Sequence, residues 1–310
     1  MSHPFRFSVS LGSIDDPHDL VAAAMRAEEL GYDGVTLPDH LDGQVGPLVG
    51  LTAAAVATET LTITTLVLAN DYRHPAVLAK ELATLDRVSG GRLEVGIGAG
   101  WMTADYEQAG ITKDRAGVRI ARLAEAIEVL RGCWTGEPFE FDGEHYTIRG
   151  LVGSPAPHRP SGPPLIVAGG GPRVLGLAAR EADIVGVNFG LQGGVFDTSA
   201  AATGFAEATD AKLALIREAA GDRFDSLELQ TRVHLAGASD DRDATLEAMA
   251  PVFGLTVEQA GSMPHALAGT VDQCVATIEG WRDRWGLSYI TWSADAMEPM
   301  APVVAALSGR

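Results

Sequence analysis

Asp39 and His40 stand two and three residues after Leu37, the end of the apolar run Gly34-Val35-Thr36-Leu37, with Pro38 between. A helical pattern follows. An acid and an imidazole are thus predicted at the carboxyl end of a short strand, the edge where proteins with alternating strands and helices handle ligands. Together they offer hydrogen-bond acceptors, a donor and a proton exchangeable near neutral pH. A surface turn is the other reading of the dipeptide. Two glycine-rich segments occupy equivalent places. In Gly96-Ile97-Gly98-Ala99-Gly100, alternate positions carry no side chain. A flat or phosphorylated ligand can then approach the backbone at Gly98, Ala99 and Gly100. Gly169-Gly170-Gly171 closes a strand and precedes Pro172, a good first helical residue. The free N–H groups there favour a phosphate, although glycines also simply make tight turns. Trp101 is placed to stack on a flat ring or to cap a helix. His74 belongs to a turn that opens a helix, His145 to a hairpin, and His234 to a strand that can face in or out. Cys133 and Cys274 are far apart, and no His, Cys, Asp or Glu group has metal-ligand spacing, so no metal site is expected. The Gly-x-Ser-x-Gly, Walker A and Rossmann glycine patterns are absent.

Regular alternation positions these residues. Residues 5–11 alternate and predict a first strand. Asp16-Pro17 predicts an N-cap and first turn, Leu20, Ala23, Ala24, Ala27 and Leu30 repeat at helical spacing, and Gly31 ends the helix. Further strands are predicted at 32–37, 61–69, 93–98, 165–168, 184–188, 227–235 and 288–292. Helical patterns lie at 47–59, 75–88, 115–134, 172–182, 204–220, 242–261 (broken near Pro251 and Gly254), 270–285 and 299–307. Eight strands, each with a helix, is the count of a (β/α)8 TIM barrel, an α/β fold. A doubly wound sheet gives the same local alternation. Residues 135–163 break the rhythm with a hairpin at Phe139–Tyr146, turning at Asp142-Gly143, and a proline-rich stretch. They read as an insertion after the fourth strand and its helix, lying over one end of the fold. With no linker evident, residues 1–310 are expected to form one domain.

Composition bounds the partners. The 310 residues carry a formal net charge of −18, with 46% hydrophobic residues. Phosphate backbones and anionic membranes repel such a surface, so neither nucleic acid nor membrane is an expected partner. A small anionic ligand remains open, because backbone amides bind phosphate. No apolar run approaches the roughly 20 residues that span a bilayer. The first residues lack signal-peptide architecture, and two isolated cysteines suit a reduced, cytoplasmic setting. A small-molecule substrate and a homo-oligomer, a dimer, are expected.

Several landmarks in order resemble the bacterial luciferase-like superfamily. They are Gly31-Tyr32-Asp33-Gly34-Val35 leading to Asp39-His40, His74-Pro75, Ser89-Gly90-Gly91-Arg92-Leu93 leading to Gly96 through Trp101, Ile166 through Gly171, and Leu267-Ala268-Gly269-Thr270. That resemblance implies a TIM barrel with an insertion, binding FMN or the deazaflavin coenzyme F420. In the deazaflavin branch, Asp39-His40 is similar to the pair facing the ring. Leu66-Val67 lies where that branch often has a non-proline cis peptide behind the ring, and Gly169 to Gly171 where it binds phosphate. The implied activity is hydride transfer between F420 and a small organic substrate. His40 would be the acid/base or hydrogen-bond donor near the reacting carbon, and Asp39 would contact the ring. Sugar-phosphate dehydrogenases of the branch carry Glu directly after the glycine loop. Trp101 stands there in this chain, so a different substrate is expected. An FMN-dependent monooxygenase of the same fold, or a non-catalytic member that binds flavin or another ligand, is the alternative. The net charge weighs against a long anionic cofactor tail unless Arg73, Arg173 or Arg232 offsets it locally.

Overall fold

The computed structural model describes residues 3–191 and 193–310; Met1 and Ser2, where the reading of the N-terminus began, lie outside them. Eight parallel strands close on themselves, which removes the doubly wound alternative. They are β1 (Arg6–Ser10), β2 (Gly34–Leu37), β3 (Thr62–Ala69), β4 (Leu93–Gly98), β7 (Leu165–Gly169), β8 (Ile184–Val187), β9 (Glu228–Val233) and β12 (Leu287–Ser293). Round the barrel their order is β1, β12, β9, β8, β7, β4, β3, β2. Helices α1 (Pro17–Glu29), α2 (Pro47–Ala57) and α3 (Pro75–Val88) follow the first three strands. Beyond β4 come α4 (Thr103–Ala109) and α5 (Ala116–Trp134); α6 (Pro172–Glu181) follows β7, and α7 (Thr198–Ala202) and α8 (Ala206–Ala220) follow β8. Then α9 (Arg242–Met249) and α10 (Val257–Gly261) precede α11 (Val271–Trp285), and α12 (Met297–Leu307) ends the chain.

Local chemistry sets the helix ends. The Asp16 carboxylate accepts from the amides of His18 and Asp19 to start α1. Thr270 and Gln273 form a reciprocal capping box on α11. The apolar stripe Leu78, Leu82 and Leu85 of α3 is buried against the barrel.

The barrel floor is polar and largely buried. Arg6, at the start of β1, donates to Glu94 Oε1 at 2.8 Å and to both carboxylate oxygens of Glu228, at 2.9 and 2.6 Å. Its guanidinium lies 4.2 Å from the centre of the Tyr289 ring. Thr64 Oγ1 donates to the remaining Glu94 oxygen. Burial pushes the Glu94 carboxyl above its ordinary range, and the Arg6 charge pulls the other way.

Two local expectations are corrected. In the insertion, β5 (Pro138–Asp142) pairs antiparallel with β6 (Thr147–Val152), so the second strand starts after Tyr146. The reason lies on α5, where the Glu125 carboxylate accepts from the amides of Glu144, His145 and Tyr146 and turns them into the loop. Residues 227–235 do not form one strand either. After Val233 the chain leaves the barrel as the His234 amide donates to His265 O at 2.8 Å. Leu235–Ala238 (β10) then pairs in parallel with Ala266–Gly269 (β11), a pairing the local pattern gave no sign of. The 242–261 region is interrupted where Pro251 and Gly254 predicted a break, between α9 and α10.

Candidate active site

A cavity of about 650 Å³ opens at the carboxyl ends of the barrel strands, within the usual size for a small-molecule site. Asp39, His40, Leu66, Val67, Gly98, Ala99, Gly100 and Gly169 to Gly171 all line it. Four barrel strands, β2, β3, β4 and β7, thus deliver every predicted site residue to one mouth.

The two members of the Asp39-His40 pair have different surroundings. Asp39 is buried, and its carboxylate forms a two-pronged pair with Arg73 at 2.5 and 3.0 Å. The Ala69 amide also donates to it at 3.0 Å. Its oxygens therefore tie β2 to the end of β3. His40 Nδ1 lies 2.8 Å from Oδ2 of Asp105, which is 2% exposed. With a carboxylate there, Nδ1 carries the proton and Nε2 is the nitrogen left for the cavity. Tyr72 Oη donates to the same oxygen of Asp105 at 3.3 Å, and the Leu41 amide donates to Oδ1. Burial and the Asp105 charge hold the Tyr72 phenol above its usual range, so it stays a donor. Trp101 meets the His40 ring edge-on, with centroids 5.7 Å apart and planes at 90°.

Asp105 escaped the sequence reading because α4, of seven residues, is too short to show a helical period. The left-handed Gly110 that ends it (φ 68°) was the available signal. Arg119 was missed as well. Its guanidinium donates to the carbonyls of Ala99, Gly100 and Asp114 and so props the β4 loop from behind.

The glycines make room for protein as well as for a ligand. Gly100 has φ +71°, and a Cβ there would come 2.0 Å from Tyr106 Oη. At Gly170 a Cβ would come 2.1 Å from the Phe189 carbonyl oxygen. Gly171 is the N-cap of α6 in ordinary extended geometry, and no side chain caps that helix. Its first N–H groups are therefore open to an anion at the cavity edge. Across β3, the Leu66–Val67 peptide is cis, as the resemblance implied.

The other histidines separate by place. His74 caps α3 through Nδ1, and the His145 amide is held by Glu125. His234 lines the cavity, with burial and the neighbouring Arg232 charge keeping its imidazole well below the usual range. His265, which the sequence did not single out, packs 4.2 Å from Phe189, and burial pushes it down to about 4. Both are neutral at pH 7. Among the described residues there is no cluster able to hold a metal ion, and no helix is long and apolar enough to cross a membrane.

Comparison with known proteins bears on the family and the fold. The chain is 36% identical to the F420-dependent glucose-6-phosphate dehydrogenase of Amycolatopsis mediterranei strain U-32, over 54% of this chain and 52% of that protein. The protein of the same name from Gordonia bronchialis gives the same figures. The chain spans about half the length of the curated relatives it matches. Among solved structures, the coenzyme F420 dependent tetrahydromethanopterin reductase of Methanopyrus kandleri superposes with a TM-score of 0.81, covering 99% of this chain and 100% of its own. An F420-dependent secondary alcohol dehydrogenase in complex with an F420-acetone adduct gives 0.79, with 98% and 99% covered. Both are 20% identical, a likeness of fold. The model of the luciferase-like monooxygenase family matches residues 1–288, nearly the whole barrel, and the chain belongs to that family.

Proposed function

We propose that the chain is an oxidoreductase that moves hydride between coenzyme F420 and a small organic substrate. One observation carries the reading. A single cavity gathers a histidine held by a buried carboxylate, an apolar wall at Leu66 and Val67, and an uncapped helix start at Gly171. The site suits the coenzyme. Its volume accommodates a tricyclic ring, and the open amides of α6 suit a phosphate. Leu66 and Val67 would back the ring, and Gly169 to Gly171 would take the phosphate, with Arg173 at the rim. The two relatives named above support this branch of the family.

When bound, F420 supplies a hydride carrier that reacts poorly with oxygen. The protein supplies position and a proton path. Asp105 fixes the ring and tautomer of His40, as a carboxylate does for a catalytic histidine. Nε2 then exchanges a proton with the substrate at the reacting carbon's substituent. Asp39, saturated by Arg73, holds the β2 and β3 rims in register and so places His40. Glucose 6-phosphate is not proposed as substrate, because Trp101 occupies the position where the resemblance expects a glutamate.

The test is a fluorescence titration of the purified protein with F420 and, separately, with FMN. Saturable binding of F420 in preference to FMN is expected. Preference for FMN would transfer the chain to the monooxygenase reading, and binding of neither would remove the flavin reading altogether.

A further inference from the structure

Gln230, Arg232 and His234 alternate along β9 and its exit, and all three line the cavity. Gln230 places its amide on Thr291 Oγ1 at 3.0 Å. Arg232 differs from its neighbours. Its Nε is buried without a hydrogen-bond partner, and among the described residues its guanidinium makes neither hydrogen bond nor ion pair. Asp295 acts on it only through space. The other arginines at or beside the cavity are accounted for. Arg73 is paired with Asp39, Arg119 with three carbonyls, and Arg173 is exposed at the rim. A partly buried guanidinium with no hydrogen-bonded counter-charge is costly to keep, and an arriving anion offsets that cost.

Position decides which anion. From β2, which leads into His40, the barrel order runs through β1 and β12 to β9. Arg232 therefore stands across part of the mouth from His40, while the α6 amides lie beyond β8 at the end of β7. The cavity wall also includes the aromatic rings of Trp101 and Phe189. We propose that Arg232 anchors an oxyanionic group, a carboxylate or a phosphate, on the substrate whose other end reaches His40. The planar guanidinium matches either group with two parallel hydrogen bonds. The substrate class is then a small organic acid or phosphate with an apolar body. That it is the substrate, and not some other ligand, rests on the hydride-transfer reading above.

The experiment titrates the F420-saturated protein with benzoate, phenyl phosphate and the neutral benzamide, following Trp fluorescence, and repeats this without F420. The wild type is expected to bind at least one of the two anions tenfold or more tightly than benzamide, and which one distinguishes carboxylate from phosphate. In R232Q that preference should vanish while F420 affinity stays unchanged and the melting temperature does not fall; R232K should keep part of it. Absence of any preference in the wild type, its persistence in R232Q, or failure of R232Q to fold would each overturn the assignment. So would a parallel loss of F420 affinity, which would give Arg232 to the cofactor. Should wild-type protein fail to bind F420, the hydride-transfer reading falls, while an anion preference in the cofactor-free arm leaves Arg232 as an anion site.

Discussion

The floor and the mouth of this barrel both carry buried carboxylates beside cations, and they differ in what is left over. On the floor, Arg6 reaches two carboxylates at once and covers the Tyr289 ring. The cavity at the mouth includes none of these residues, and the charges of the floor are paired with each other. At the mouth, Asp39 is just as saturated by Arg73, yet its neighbour His40 spends one nitrogen on Asp105 and keeps the other. The same chemistry of ion pairing thus serves closure at one end and poise at the other. What separates them is not residue type but an unspent hydrogen-bonding atom facing space. Floor changes are therefore expected to cost stability, and mouth changes to cost function.

The largest effect expected is at the mouth. His40→Ala should lower single-turnover hydride transfer by roughly 10²–10⁴-fold in cofactor-saturated protein, the range for a lost general acid or base. Cofactor affinity and melting temperature should move little, because the ring is one of many contacts and is partly exposed. A rate within a few-fold of wild type would reduce His40 to a packing residue and erase the contrast with the floor.

The mirror experiment is Arg6→Met, which strands Glu94 and Glu228 in the barrel. Chemical denaturation should show a loss of about 3–5 kcal/mol, as when one partner of a buried ion pair is removed. Turnover per folded molecule should be unchanged, and Glu94→Gln with Glu228→Gln added to the variant should recover part of the stability. A change in substrate turnover at constant fold would mean that floor and mouth are coupled.

The smallest effect sharpens the division within the mouth. Gly170 is a poor place to test phosphate binding, since any side chain there meets the Phe189 carbonyl. Gly171→Asp is the cleaner change, because the N-cap geometry accepts Asp and its carboxylate would bond the α6 amides itself. Stability should rise by a few tenths of a kcal/mol. Binding of F420 should weaken about tenfold or more, roughly 1.4 kcal/mol, by direct competition for those amides. Isothermal titration with paired melting curves reads both. Unchanged affinity alongside a raised melting temperature would release α6 from the phosphate role.

Much of this was legible in the order of residues. The alternation of apolar runs and amphipathic stretches requires eight strand–helix units, since period-two and period-3.6 burial are written in the spacing of Val, Ile, Leu and Ala. Asp39-His40, the β4 glycines and Gly169 to Gly171 could be placed at strand ends for the same reason, and the barrel gathers them because those ends share one rim. Caps such as Asp16 and Thr270 were readable because their partners lie two or three residues away. Asp105, Arg119 and Arg232 were not readable in their roles. Asp105 meets His40 across 65 positions of chain, and Arg119 supports carbonyls 19 and 20 residues back. The lone guanidinium of Arg232 is defined by what fails to surround it, which no local pattern records. Closure of the barrel, against an open doubly wound sheet, was likewise decided by the pairing of β1 with β12, residues nearly 300 positions apart. Local spacing determines which elements form and which face is apolar; only closure of the whole ring decides which polar side chains meet, which are satisfied, and which are left facing the cavity.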